Sequence, residues 1–193
     1  MLIGEGDFGE AEEALGQSIM ICETVRDFAT QGLALSVLGW CCYVQGKYEE
    51  ALGVSERMLE FGTAKSDTRF IAWGRNSSVR DLIALGRIAE AQRLMSEIEN
   101  HIQEEGGLAS FLNSDQVHFA GFRIRFALIE GSRNSVEKAM IENREVVEKL
   151  KKPCTQLVEF AGVCACIEGL LFLMGDAEWR AVLEEVMTGE KDK

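Results

Sequence analysis

The chain has 193 residues, of which 47% are apolar and 27% charged, the composition of a folded soluble protein that can bury a substantial core. A single proline and 8% aromatic residues are typical of an all-helical chain. The formal net charge of -12 at pH 7 argues against nucleic acids and membranes as partners, because anionic surfaces repel an acidic protein.

A short motif recurs every 40 residues along the chain. Gly6-Asp7-Phe8-Gly9-Glu10-Ala11 is followed by Gly46-Lys47-Tyr48-Glu49-Glu50-Ala51 and then by Gly86-Arg87-Ile88-Ala89-Glu90-Ala91. A fixed period of this size is typical of stacked helical hairpins, each of which buries its apolar face against its neighbours. Glycines continue the pattern at wider spacing, so we predict hairpin elbows near Gly6, Gly46, Gly86, Gly131 and Gly175.

Apolar residues after the elbows follow helical spacing. Beyond Gly46 they fall mainly three, four and seven positions apart, as one helix face requires: Tyr48, Ala51, Leu52, Met58 and Leu59. Ser66-Asp67 offers an N-terminal cap for the following helix. No strand-like alternation and no low-complexity linker interrupts the chain. We therefore predict one all-α domain over residues 1–193, a superhelix of about four to five hairpins.

The first predicted helix lacks a hairpin partner, because no helix precedes the elbow at Gly6. Its apolar residues are Phe8, Ala11, Leu15 and Ile19. Two explanations stay open. Either the chain is a fragment of, or a module in, a longer protein, or this face packs on a second copy, since an uncovered apolar helix face is a ready dimer interface.

Residues 32–63 combine small and aromatic side chains over two helices: Leu38-Gly39 and Tyr43, then Gly46, Tyr48 and Ala51. This set resembles the core of a tetratricopeptide repeat. It departs from that family's pattern, which favours aromatics, at Leu35, Cys42 and Ser55. The longer period is similar to the C-terminal repeat regions of maltose-regulon-type activators and of multidomain nucleotide-cyclase and ATPase signalling proteins. The resemblance implies a right-handed solenoid that acts as a protein-binding or regulatory scaffold.

The same resemblance places the first helix of each hairpin on a concave face. The residues that it puts there are Trp40, Tyr43, Trp73, Asn76, Arg80, His118 and Arg125. Arginine holds carboxylates bidentately and aromatic rings provide anchor area, so we expect a groove for a protein or peptide with acidic side chains. The alternative is structural, with arginines paired to neighbouring glutamates and tryptophans filling the hairpin core. A second alternative for the function is self-assembly through the terminal helices, which carry Phe8, Leu15, Trp179 and Leu183.

Patterns for catalysis, nucleotides and metals are weak. The GxGxxG match at residues 4–9 has no preceding strand and contains two carboxylates. Cys164 and Cys166 are two apart on a predicted helix and diverge, and neither His101 nor His118 has a partner at ligand spacing. A GxSxG elbow is missing from the sequence. We expect no enzyme activity, no cofactor and no metal.

The cysteines and the start of the chain indicate the compartment. None of the six cysteines forms a CxxC pair, and Met1-Leu2-Ile3 is followed by acidic residues without a basic segment, so we predict reduced thiols in a cytoplasmic protein. Cys154 follows Lys151-Lys152 at a predicted helix start, a setting that favours the thiolate. A reactive role and a plain structural role for this thiol both stay open.

Overall fold

The computed structural model describes residues 7–104, 113–143, 167–175, 177 and 180–181. The chain divides into two compact units, Met1–Glu104 and Glu105–Lys193. All regular elements in the described ranges are helices, which confirms the predicted all-α class. Within those ranges, no helix is long and apolar enough to cross a membrane.

The first unit is a run of five helices: α1 (Phe8–Val25), α2 (Phe28–Val44), α3 (Tyr48–Lys65), α4 (Thr68–Ala84) and α5 (Ile88–Glu104). Each helix packs against the next, and α2 also packs against α4. The helices α1, α3 and α5 begin at residues 8, 48 and 88, and α2 and α4 begin at residues 28 and 68. The 40-residue period of the sequence is therefore the period of the folded helices.

The predicted elbows at Gly46 and Gly86 are left-handed turns, with φ of 77° and 72°. This backbone region carries a steric cost for residues with a Cβ, which is why glycine recurs there. After each glycine, the next amide donates back to the ending helix, from Lys47 to the Cys42 carbonyl and from Arg87 to the Leu82 carbonyl. Gly131 is also left-handed, whereas Gly175 lies in a turn without that conformation. Gly6 lies outside the described residues.

A second kind of junction joins α1 to α2 and α3 to α4. Here Arg26 and Ser66 adopt the left-handed region, with φ of 60° and 53°. The aspartates that follow cap the next helix, since Asp27 accepts from the Thr30 amide at 3.1 Å and Asp67 from the Arg69 amide at 3.0 Å. The cap predicted at Ser66-Asp67 is confirmed, and the same device 40 residues earlier was not predicted.

The core of the first unit lies between α1, α2, α3 and α4. Its buried members are Ile19, Ala34, Leu35, Val54, Met58 and Phe70. Glycines allow α3 and α4 to approach closely, because a Cβ at Gly62 would lie 2.6 Å from the backbone nitrogen of Ile71. A Cβ at Gly74 would lie 2.8 Å from the backbone nitrogen of Leu59. The tightest helix packing of this unit is therefore between these two helices.

In the second unit, α6 (Asn113–Glu130) and α7 (Arg133–Glu142) form a hairpin around Gly131. The Ser132 hydroxyl oxygen accepts from the Ser135 amide and caps α7. Residues 167–173 are helical and contribute to a buried cluster with the hairpin. Its fully buried large side chains are Ile124, Val136, Met140, Leu170 and Leu173.

Candidate functional site

Three of the predicted groove residues come together at the contact of α2 and α4. The rings of Trp40 and Tyr43 stack with centroids 5.7 Å apart and an interplanar angle of 24°. The guanidinium carbon of Arg80 lies 4.3 Å from the Tyr43 ring centroid and 5.3 Å from that of Trp40. The cation therefore contacts both rings at distances typical of cation–π interactions.

The charge of Arg80 is engaged inside the protein. Its side chain is only 7% exposed, and its Nε and Nη2 lie 2.8 Å and 2.7 Å from Oδ1 of Asp81. The other carboxylate oxygen of Asp81 accepts from the Ser55 hydroxyl at 2.8 Å. Burial raises the pKa of Asp81, against the opposing effects of Arg80 and Ser55. The structure thus places Arg80 as a support beneath the aromatic pair, with its guanidinium directed to an internal carboxylate.

Asp81 and Ser55 were missed as parts of this cluster. One sequence signal pointed toward them, because Ser55 occupies a position where the tetratricopeptide pattern favours an aromatic residue. A small hydroxyl residue at such a position leaves room for a polar group from the neighbouring helix. Asp81 supplies that group, and its side chain is fully buried.

Trp73 and Asn76, also predicted for the groove, lie mainly in the interior of the first unit. Trp73 is half-buried and meets the Phe70 ring edge-on, with centroids 5.6 Å apart. It packs against the core cluster of α1 to α4. Asn76 is 4% exposed.

The remaining two predicted groove residues belong to the second unit. His118 is half-buried, and its ring centroid lies 6.0 Å from that of Phe122. Nη2 of Arg125 lies 3.5 Å from Oε1 of Glu168. Like Arg80, Arg125 therefore contacts a carboxylate of this chain, as the structural alternative for the arginines expects.

The surface of α2 is unusually apolar for an exposed helix. Its sequence, FATQGLALSVLGWCCYV, contains no charged residue. Leu33, Val37 and Val44 are 50%, 38% and 42% exposed. Together with the half-buried Trp40 they recur at spacings of four, three and four, which places them on one helix face. We call Leu33, Val37, Trp40 and Val44 the α2 stripe.

A second polar cluster joins the elbow at Gly46 to α1. Nζ of Lys47 lies 2.8 Å and 3.0 Å from the two carboxylate oxygens of Glu12, to which Gln45 also donates. The hydrogen bond from Lys47 lowers the pKa of Glu12, with a further contribution from Gln45. Burial raises the pKa of the nearby Cys41 and Cys42 thiols, so both favour the protonated form, which is a poor nucleophile.

The described part of the chain contains no group of three or more His, Cys, Asp or Glu residues arranged to hold a metal ion. Cys22, Cys41 and Cys42 are buried free thiols. Several candidates lie outside the residues whose side chains are described: His101, Cys154, Cys164, Cys166, Trp179 and Leu183.

Comparison with known proteins finds no matching family model, no matching curated protein and no matching solved structure. The resemblance to tetratricopeptide repeats therefore stays a prediction from the residues that carry it.

Proposed function

We propose that this chain is a non-catalytic protein–protein interaction module that binds a segment of another protein across the α2 stripe and Tyr43. The observation that carries the proposal is an exposed, uncharged helix face beside a stacked pair of aromatic rings. Exposed apolar surface of this kind marks interaction sites in soluble proteins. Tryptophan and tyrosine are also enriched among the residues that contribute most to binding.

The arrangement beneath the rings supports this function. Arg80 contacts both rings and pairs with Asp81, which in turn accepts a hydrogen bond from the Ser55 hydroxyl. Rings that are already ordered in the free protein lose less conformational entropy on binding, and this preorganisation increases affinity. In the proposal, the buried cluster of Arg80, Asp81 and Ser55 positions the rings of Trp40 and Tyr43, and the α2 stripe provides the contact area.

The wider setting of the proposal is the right-handed tetratricopeptide-like solenoid, in which α2 and α4 line a concave face. The direct contact between α2 and α4, which are separated in sequence by α3, supports that arrangement. Buried free thiols in the first unit support a reducing, cytoplasmic location. In a larger signalling protein, the same surface would act as a regulatory contact.

Selection from a phage library of random 16-residue peptides tests the proposal. Enriched sequences are synthesised and their affinities measured by fluorescence anisotropy against the wild-type chain and against Trp40→Ala and Val37→Ser. We expect each variant to weaken binding at least tenfold. Met20→Ala is the control, because Met20 is 68% exposed on α1 and lies outside the α2 stripe. Enriched peptides that bind all four proteins equally would refute the proposed surface.

A second candidate function is self-assembly through α1. Ile21 and Val25 are 61% and 65% exposed on this helix, whereas Phe8 and Leu15 are half-buried. Light scattering over a hundredfold range of protein concentration separates the two functions. A monomer throughout supports the binding of a different partner. A dimer that dissociates on dilution and is lost in Ile21→Arg supports self-assembly.

A further inference from the structure

The 40-residue period allows the helix pairs α1–α2 and α3–α4 of the first unit to be compared residue by residue. The α3–α4 pair repeats the α1–α2 pair with every number raised by 40. The groove between α3 and α4 is occupied by α2, which packs on both helices. In the α1–α2 pair, most residues at the corresponding wall positions are exposed.

The filled groove shows which positions contact an incoming helix. A Cβ on Gly39 of α2 would lie 3.4 Å from Cγ1 of Val54. The Phe28 ring of α2 lies 6.5 Å from the Phe61 ring of α3. As a result, Val54 is only 8% exposed and Phe61 is half-buried.

Four of the corresponding positions on α1 and α2 are open to solvent, and a fifth, Ser18, is half-buried. Ala14 corresponds to Val54 and is exposed, and Ile21 corresponds to Phe61 and is 61% exposed. On the opposite wall, Leu33 corresponds to the half-buried Trp73 and is 50% exposed. We call the surface formed by Ala14, Ser18, Ile21, Leu33 and Val37 the first groove.

We infer that the first groove is the docking site for an amphipathic helix with a basic polar face, carried by a partner protein. This inference rests on the proposed function, because it names the class of partner and extends the contact from the α2 stripe to α1. A helix fits because the equivalent groove one repeat later holds one, and helix-in-groove binding buries apolar anchors at helical spacing.

The shape of the first groove predicts large anchors on that helix. In the filled groove, α2 presents Gly32 to Phe70, which leaves no room for a Cβ, and Gly39 to Val54, where a Cβ would already be in van der Waals contact. In the first groove the residue corresponding to Val54 is Ala14, which is smaller by two methyl groups. Bulky aliphatic side chains seven residues apart on the partner would fill the space that α2 meets with glycines.

The charge of α1, one wall of the first groove, predicts a basic partner. Five acidic residues of α1 and its flanking turns are exposed, and only one basic residue is: Asp7, Glu10, Glu13, Glu23 and Asp27 against Arg26. The opposite wall, α2, has no charge at all. A second copy would bring the same acidic α1 and a net charge of -12, which repels it. The acidic partner expected from the sequence depended on arginines, and Arg80 and Arg125 contact carboxylates of this chain.

Three synthetic peptides of about 18 residues, long enough for five helical turns, test the inference on the full chain. One is an amphipathic helix with leucine on one face and lysine on the other. The second has the same composition in scrambled order, and the third carries glutamate in place of lysine. We expect the amphipathic basic peptide to bind at least tenfold more tightly than either of the others, as measured by fluorescence anisotropy.

Two matched variants locate the binding site. Ile21→Arg is expected to weaken binding of the amphipathic basic peptide at least tenfold. Met20→Arg adds the same charge at an equally exposed neighbouring position, whose counterpart Glu60 is exposed, and it is expected to change binding less than twofold. Leu33→Arg, on the opposite wall, should act like Ile21→Arg. Circular dichroism verifies that all three variants fold.

Several outcomes would overturn the inference. Equal binding of the scrambled peptide would show attraction by bulk charge alone, and equal weakening by Met20→Arg would place the site elsewhere. Dimerisation without peptide that disappears in Ile21→Arg would make a second copy the occupant. If the basic helix fails to bind while library-selected peptides still depend on Trp40, only the partner class is wrong and the proposed function survives.

Discussion

Two ion pairs of the first unit use similar groups in opposite surroundings. In the buried pair, Arg80 and Asp81 are 7% and 0% exposed, and Asp81 also accepts from Ser55. In the surface pair, Lys47 and Glu12 are 37% and 26% exposed. Burial raises the pKa of Asp81, whereas the hydrogen bond from Lys47 lowers the pKa of Glu12. Their N···O distances are nearly equal, at 2.7 Å and 2.8 Å.

Exposure therefore decides what each pair contributes, because the distances do not differ. Removing charges from water costs free energy that only complete pairing offsets, so breaking a buried pair leaves a large uncompensated cost. An exposed pair gains little Coulomb energy in water and loses side-chain entropy, so it contributes little to the free energy of unfolding. The buried pair should thus contribute strongly to the stability of the helices that carry Trp40 and Tyr43. The surface pair should mainly hold the elbow at Gly46 against α1.

The largest effect is expected for Asp81→Ala. This change leaves the Arg80 guanidinium buried without its carboxylate, and such losses cost about 3–5 kcal/mol. We expect the free energy of unfolding, measured by urea denaturation, to fall by that amount. Peptides selected for binding to Trp40 should also bind less tightly at protein concentrations where the variant is folded, because Arg80 no longer supports the rings.

The double variant Arg80→Met with Asp81→Leu is the control for this prediction. It removes both charges and replaces them with apolar groups, so it should recover most of the stability that Asp81→Ala loses. If the double variant is as unstable as the single one, the cost arises from lost packing volume. The buried pair would then have no special role in the comparison.

Much of the fold could be predicted because turn chemistry repeats along the sequence. Gly46 and Gly86 mark left-handed turns that only glycine adopts freely, so their spacing reveals the hairpins directly. Arg26 was not recognised because arginine rarely occupies the same conformation, and its strain is visible only in the folded backbone. The order of the hairpins was thus predictable. Of the second type of junction, the one at Ser66-Asp67 was predicted and the one at Arg26-Asp27 was not.

The candidate site was less predictable for a different physical reason. In α2, Leu33 is 50% exposed and Leu35 is 3% exposed, although both lie in a helix without charged residues. Without a polar face, hydrophobic periodicity carries no information about which side is buried. The sequence likewise placed Arg80 on an open groove and gave no role to Asp81. Only the packing of α2 and α3 on α4 shows that both side chains are buried.

The next largest effect is expected for Ser55→Ala, which removes the hydroxyl that donates to Asp81. Loss of one hydrogen bond to a buried carboxylate that keeps its ion pair lowers the free energy of unfolding by about 1–3 kcal/mol. Urea denaturation should place this variant between wild type and Asp81→Ala. Ser96→Ala is the control, because the Ser96 hydroxyl is exposed and donates to a backbone carbonyl of its own helix. Equal losses in the two serine variants would contradict a special role for burial.

A smaller effect is expected for Glu12→Gln in the surface pair. The change removes the charge facing Lys47 but keeps a hydrogen-bonding group of the same size, so the melting temperature should fall by only about 1 °C. The difference from wild type should shrink as salt is raised, because exposed charges are screened. Calorimetry at low and high salt measures both. A loss as large as that of Ser55→Ala would show that the surface pair behaves as a buried one.

The subtlest expected difference between the two pairs is the sign of their pH dependence. Because the pKa of Asp81 is raised in the folded state, its contribution to stability is fully present below the unfolded pKa and is lost as pH rises through the folded value. Because the pKa of Glu12 is lowered, its contribution is present above the unfolded pKa and is lost as pH falls through the folded value. The measurement is urea denaturation between about pH 3 and pH 7. As pH rises, the free energy of unfolding of wild type relative to Asp81→Asn should fall, whereas that of wild type relative to Glu12→Gln should rise. Slopes of the same sign would mean that the Arg80 charge outweighs the burial of Asp81, and the contrast between the two pairs would be one of magnitude alone.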